Sequence, residues 1–231
     1  MKVWIYVEGP ADVYGLNALW ESWTENMRPH GHGIKVIPFY GKDKFFLKIG
    51  SHAAQKLVQD VGALVVGLPD FYPNRPYVGK AFEHPDLALL KQVQQKLVKE
   101  ALQETQGKGE KEADICLSRF YPTALKHDLE MLLLAAVEEL RAYLGTDEKL
   151  ENRWRKPVED QNQNHPPKHI VEELFRTKKG CKYKDTSHAP AVLRKVTNMR
   201  QIIFEENGQV KCPVFQEMLD WIAARVGVSA Y

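Results

Sequence analysis

Glu8 is the residue from which the chemistry of this chain is most directly argued. It follows Val3-Trp4-Ile5-Tyr6-Val7, an apolar run of the kind that forms a buried parallel strand. A Gly9-Pro10 break comes next, and Leu16, Leu19, Trp20 and Trp23 then recur with helical spacing. A carboxylate between a strand's C-terminal end and a helix lies where open α/β sheets bind ligands, and the helix N-terminus beside it favours a phosphate. Asp70 stands in the same relation to a third apolar run, in Leu68-Pro69-Asp70-Phe71-Tyr72-Pro73, and His127, Asp128 and Glu130 open a helix that follows a fourth. Acids brought to one sheet edge repel one another unless a cation lies between them. Mg²⁺, or Mn²⁺ in its place, suits such a set: it takes hard oxygen ligands and keeps waters that a phosphate can replace. A site of that kind activates water and stabilises the charge of a phosphoryl transition state.

Each acid also has a plainer reading. Glu8 is placed to cap the following helix, Asp70 to form a turn, and Asp128 and Glu130 to complement a helix dipole; Asp12 is either a supporting group or one more first-turn acid. Basic residues are expected at the same edge: Lys42, Lys44 and Lys48 after the second strand, Arg75 and Lys80 after Asp70, and Arg119 after the fourth strand. Cations beside a metal site could hold a nucleic-acid backbone. Arg176-Thr177-Lys178-Lys179-Gly180-Cys181-Lys182-Tyr183-Lys184 is a denser run, open to two readings, a phosphate contact or a solvated turn.

The elements that must position these groups alternate. Strands are predicted at 3–7, 34–40, 63–68 and 113–118, with helices at about 11–27, 51–61 and 86–105 between them. Alternation of this kind gives an α/β fold with a mainly parallel sheet and flanking helices. A further helix is expected at 125–144, closing at Gly145. Residues 146–169 are polar and rich in Asn, Gln and Pro, and helices follow at 168–176, 190–199 and 213–225. The expected organisation is an α/β core over 1–145 with a helical C-terminal extension, 146–231, packed on it as one integrated domain. Trp4 and Trp20 are expected in the core and Trp154 at the surface.

Composition sets outer bounds. The 231 residues carry a formal net charge of only +2, too little to argue nucleic-acid binding by itself. Cys116, Cys181 and Cys212 are odd in number and match neither a disulfide framework nor a zinc pattern, which points to a reducing, cytoplasmic location. No apolar run approaches a membrane span, and the N-terminus lacks the layout of a signal peptide. The absence of Gly-x-Gly-x-x-Gly, Gly-Lys-Ser/Thr and Gly-x-Ser-x-Gly argues against dinucleotide, P-loop and α/β-hydrolase sites.

Val7-Glu8-Gly9-Pro10-Ala11-Asp12 resembles the opening motif of the Toprim superfamily, which includes primases, topoisomerases and the overcoming-lysogenization-defect (OLD) nucleases. Glu8 matches that superfamily's glutamate and Asp70 the first residue of its Asp-x-Asp, while Tyr72 stands where the second aspartate belongs. The chain is similar, over nearly its whole length, to a Toprim-like bacterial family often encoded beside ATPases. The similarity rests on Asp70-Phe71-Tyr72, His127-Asp128-Leu129-Glu130, Pro166-Pro167-Lys168-His169, Tyr183-Lys184-Asp185 through His188-Ala189, and Cys212-Pro213-Val214-Phe215. The resemblance implies a Mg²⁺-dependent nuclease, acting on DNA or RNA, with an ATPase partner and a place in defence against phage. It adds Lys168, Lys184 and His188 as site residues and makes Asp128 and Glu130 replacements for the missing aspartate.

The leading expectation is therefore a nuclease or related phosphodiester-cleaving enzyme. Glu8, Asp70, Asp128 and Glu130 would hold metal, Glu8 would also serve as general acid or base, and His127, Lys168 and Lys184 would steady the phosphate. Lys42, Lys44, Arg75, Arg119, Lys178 and Lys179 would hold the nucleic-acid backbone. Two alternatives stay open: a catalytically inactive interaction subunit of an ATPase, as Tyr72 suggests, and a nucleotide phosphohydrolase.

Overall fold

The computed structural model describes all 231 residues. Strand β1 (Lys2–Val7) leads into helices α1 (Pro10–Leu19) and α2 (Glu21–Met27); β2 (Gly33–Pro38) leads into α3 (Lys42–Gln59). After β3 (Leu64–Leu68) a long loop reaches α4 (Leu87–Glu100), followed by α5 (Glu110–Leu117) and β4 (Phe120–Pro122). The remaining helices are α6 (Glu130–Ala135), α7 (Val137–Leu144), α8 (Pro167–Leu174), α9 (Asp185–Leu193), α10 (Arg200–Ile203) and α11 (Pro213–Val226). No helix is long and apolar enough to cross a membrane.

The four strands form one parallel sheet in the order β2-β1-β3-β4, with Val3 beside both Ile34 and Leu64 and Val66 beside Tyr121. The fold is α/β with a parallel sheet, as the sequence pattern predicts. Side chains alternate along β1: Val3, Ile5 and Val7 enter a cluster of 45 buried residues on one face, and Tyr6 enters a cluster of 18 on the other. Helices α1 and α2 supply the larger cluster together with the C-terminal helices, where Phe215, Leu219 and Ile222 of α11 are fully buried. Trp20 stacks on Phe215, with ring centroids 6.1 Å apart. Helices α3, α4 and α5 cover the opposite face. Strands feeding helices on both faces leave the strands' C-terminal ends free for a site.

Several expectations need correction. Residues 113–118 are not a strand: α5 occupies most of them, and the strand is the short β4 beyond it. Ala113 and Cys116, three apart, are buried while Ile115 is 67% exposed, which is helical spacing; Glu112 Oε2 also accepts the Gly109 N–H at 3.3 Å, closing the first turn. The helix expected over 11–27 breaks at Trp20, and the one expected over 125–144 is two helices parted at Ala136, beginning only at Glu130. Helix α3 begins nine residues earlier than 51, and α9 begins at Asp185 with Pro190 inside it. Trp154 is buried rather than exposed. Trp4 is half-buried, its ring ringed by the ammonium groups of Lys2, Lys35 and Lys56 at 4.6–5.2 Å.

Candidate functional site

The acids do meet. Parallel pairing continues past the named strands: Phe71 N–H donates to Leu125 O at 2.6 Å and Leu125 N–H to Pro69 O at 2.9 Å, drawing the segment before α6 alongside Asp70. Asp70 N–H donates to Glu8 Oε1 at 3.1 Å, which fixes the β1 and β3 ends to each other. Asp12, in the first turn of α1, turns back to accept the Gly9 N–H at 2.8 Å. Gly15, one turn further on, lets α1 close onto Leu129: a Cβ there would lie 2.3 Å from Leu129 Cδ2. That approach holds Asp128 and Glu130, on either side of Leu129, against the α1 end of the sheet.

The result is a cleft of about 450 Å³ whose walls include Glu8, Asp12, Asp70, Asp128, Glu130 and Asp185, with Lys168 from α8. Tyr40 and Gly41, beyond β2, complete its rim. Six carboxyl groups share this space with one lysine. Lys168 Nζ is engaged by Asp185 Oδ2 at 3.1 Å. Asp128 Oδ1 and Glu130 Oε1 are buried with no hydrogen-bond partner, and unpaired buried oxygens of this kind are costly in a finished fold.

Burial is the main influence on Glu8, Asp12, Asp70, Asp128 and Glu130, and repulsion from neighbouring acids adds to it. Burial pushes the Glu8 carboxyl up to about 7, with Asp12 and Asp43 adding to the rise and Lys42 and the Asp70 amide opposing it. Asp12 is pushed up to about 6 and Asp128 to about 7, burial first and Glu130 adding in each case. Asp70 is held well above the usual carboxylate range by burial and by Asp12, Glu8 and Asp128. Burial also raises Glu130, against the pull of Lys168. Burial works downward on Lys168, but Glu130 and Asp185 outweigh it and raise its ammonium. The Tyr183 hydroxyl, buried and facing the charge of Glu130, is raised as well.

This donor set fits a hard divalent cation: it is all oxygen, crowded, anionic and partly unsatisfied. No three of the His, Cys, Asp and Glu side chains stand close enough together to hold a metal ion among them. Mg²⁺ does not need three, since it is commonly held by one or two carboxylates with waters and substrate oxygens completing the shell.

The other residues singled out in the sequence fall elsewhere. Lys42 is buried, and its Nζ donates to Phe71 O at 2.8 Å and Pro73 O at 3.0 Å; it anchors the loop after Asp70 and is largely shut off from solvent. Arg119 precedes β4, so it sits at the opposite end of the sheet from the cleft. Its guanidinium donates to Leu57 O at 2.6 Å, Asp60 O at 2.8 Å and Ala63 O at 3.2 Å, closing the C-terminal end of α3. Lys178 pairs with Glu148, and Lys179 lies 3.9 Å over the Tyr143 ring. Lys44 and Arg75 are exposed and do not line the cleft. His127 is buried, packs on the Tyr72 ring at 4.9 Å and lies behind the cleft wall; burial lowers its pKa. Lys184 is exposed and caps α9, where its N–H donates to His188 Nδ1 at 3.0 Å. His188 stacks on Phe175 and belongs to that packing. Asp185, the neighbour of Lys184, is the member of that motif that lines the cleft, and nothing in its local sequence distinguishes it from a first-turn acid.

The family model described as a domain of unknown function, DUF4276, matches residues 7–223. The chain belongs to this family. The match spans both walls of the cleft, from Glu8 to Asp185. No curated protein matches the chain's sequence. Among solved structures it is similar to the C-terminal region of the OLD protein of Xanthomonas campestris pv. campestris. One such structure is 12% identical, covering 97% of this chain and 96% of that one at a TM-score of 0.46; another is 17% identical, covering 84% and 85% at 0.40.

Proposed function

We propose that this DUF4276 protein is a divalent-cation-dependent nuclease, cleaving a phosphodiester bond in the acidic cleft. The supporting observation is the convergence of Glu8, Asp70, Asp128 and Glu130 in one pocket, with two buried carboxylate oxygens left unpartnered. Three segments far apart in sequence contribute these four residues, and capping or turn formation would not require them to meet. One or two of these carboxylates at a time, with waters and substrate oxygens, would hold Mg²⁺ or Mn²⁺, which when bound supplies charge neutralisation and an activated water. Asp12 supports Gly9 and the Glu8 backbone from behind. Glu8, held near 7, is poised to take or give a proton at neutral pH. Lys168, the cleft's one lysine, would lie against a phosphate oxygen, with Asp185 positioning its ammonium. The likeness of Val7-Glu8-Gly9-Pro10-Ala11-Asp12 and Asp70 to the Toprim motifs agrees with this reading, and an ATPase partner and a role in phage defence follow as its biological extension.

The rival reading, a non-catalytic regulatory subunit, draws on Tyr72. Its ring packs on His127 where a second aspartate would add to the metal site. Cleavage assays separate the two. The wild type should nick DNA or RNA with Mn²⁺ or Mg²⁺ and lose that activity with a chelator and in Glu8→Ala. Cleavage by Glu8→Ala equal to wild type would refute the proposed site.

A further inference from the structure

Tyr40 has features that its own packing does not account for. It is the one non-glycine residue with positive φ, at 63°. That region is disfavoured for residues with a Cβ, and a large aromatic is an uncommon occupant. The conformation is held in place: Phe39 N–H donates to Val7 O and Gly41 N–H to Glu8 O, both at 2.9 Å, clamping the turn to the end of β1 on either side of Tyr40. Glycine at 40 would make the same turn without strain, as Gly41 does beside it at φ 118°.

Nor does the side chain repay that strain through contacts. It is 64% exposed, stacks on no other ring, and its hydroxyl makes no hydrogen bond. What it does is present an aromatic face at the rim of the cleft that holds Glu8 and Asp70. Strain of this kind is typically retained where a side chain is needed for function.

The cations supply a second consideration. Lys42 is spent on backbone carbonyls, and Lys168, paired with Asp185, is the one cation lining the cleft beside six carboxyl groups, so the cleft itself offers little positive charge. A substrate strand must be held largely by something other than phosphate–lysine contacts. Stacking of a base on an aromatic ring does this without sequence preference, and it requires an unpaired base whose face is free.

We propose that Tyr40 is a stacking platform for an unpaired nucleobase beside the phosphate in the cleft, and that the substrate is single-stranded nucleic acid or a single-stranded segment of it. The inference rests on the phosphodiester-cleaving reading and extends it to the substrate's form.

The test is fluorescence anisotropy of a labelled DNA single strand, intact or carrying abasic sites, with Ca²⁺ present and the full chain as wild type, Tyr40→Phe, Tyr40→Ala and Tyr40→Gly. Tyr40→Phe should bind within about 2-fold of wild type, and Tyr40→Ala and Tyr40→Gly should bind roughly 10-fold or more weakly. The abasic strand should bind all four proteins equally weakly. Tyr40→Gly also relieves the backbone, so its thermal midpoint should equal or exceed that of wild type, which separates lost binding from lost folding. Unchanged affinity in Tyr40→Ala, or an equal loss with the abasic strand, overturns the stacking role. Metal-dependent cleavage of duplex DNA by a wild type that binds no single strand overturns this inference alone. A wild type that neither binds nor cleaves any nucleic acid overturns it together with the reading beneath it.

Discussion

Replacing Glu8 by Gln should make the metal-free protein more stable, not less. Burial raises the Glu8 carboxyl from its ordinary 4.5 to about 7, so its ionised form is less favourable in the folded chain than in the unfolded one. A raised carboxyl contributes stability that is fully present below the unfolded value, near 4.5, and is lost as pH rises through about 7. A rise of about 2.5 pH units corresponds to ~3 kcal/mol; solvent reaching this half-buried group screens part of it, leaving ~2 kcal/mol at pH 8. Gln removes the charge but keeps an oxygen to accept the Asp70 N–H, and the lost attraction to Lys42 reduces the gain slightly. For a chain of this size the thermal midpoint should rise by roughly 4–8 °C at pH 8. At pH 5 folded Glu8 is already neutral, and the advantage should fall below ~1 kcal/mol. Thermal unfolding of both proteins in chelator at pH 5 and pH 8 reads this directly. Added Mn²⁺ should then reverse the order by stabilising the wild type alone. A variant less stable than wild type at pH 8, or a gain that persists unchanged at pH 5, would refute the electrostatic reasoning.

Other outcomes follow from the packing. Gly50→Ala would set a Cβ 2.6 Å from the Leu97 carbonyl oxygen, so α3 and α4 must separate; a loss of about 1–3 kcal/mol is expected in urea unfolding. Glu159 is buried and accepts the Val214 and Phe215 N–H groups, each at 2.9 Å, at the start of α11. Glu159→Ala strands both donors and should cost about 2–4 kcal/mol, read as a lower urea midpoint with an unchanged slope. Lys42→Met leaves the carbonyls of Phe71 and Pro73 without their donor and removes the cation offsetting Glu8 and Asp70. It should destabilise the chain by roughly 2–3 kcal/mol and raise amide exchange over 70–74, whereas Lys44→Met should do neither.

The parts of the fold that were legible in the sequence are those with strong periodic signals. Strands β1 and β3 are apolar on both faces because both faces are covered, and α4 and α11 carry clear apolar stripes. The fourth strand was misplaced because β4 has only three residues and ends at Pro122, too short to signal, while Ala113-Asp114-Ile115-Cys116-Leu117 just before it has a strand-like composition. That displacement carried Arg119 to the wrong end of the sheet. Glu8, Asp70, Asp128 and Glu130 could be picked out because each follows or opens an element at one sheet edge. Lys42 could not, since Gly41-Lys42-Asp43-Lys44 looks like a solvated loop and only the carbonyls of a segment thirty residues away explain its burial. Asp185 and Tyr40 owe their places to a helix docked from the C-terminal part and to one backbone angle, and neither leaves a mark in local sequence.

The central claim is that the acids at the C-terminal ends of β1 and β3 hold a divalent cation. Isothermal titration calorimetry of Mn²⁺ into the wild type and into Glu8→Ala tests it most directly. The account predicts a saturable binding event in the wild type that is lost, or weakened at least about 10-fold, in the variant. Equal binding by the two proteins would place the metal elsewhere, and no binding by the wild type would contradict the claim outright.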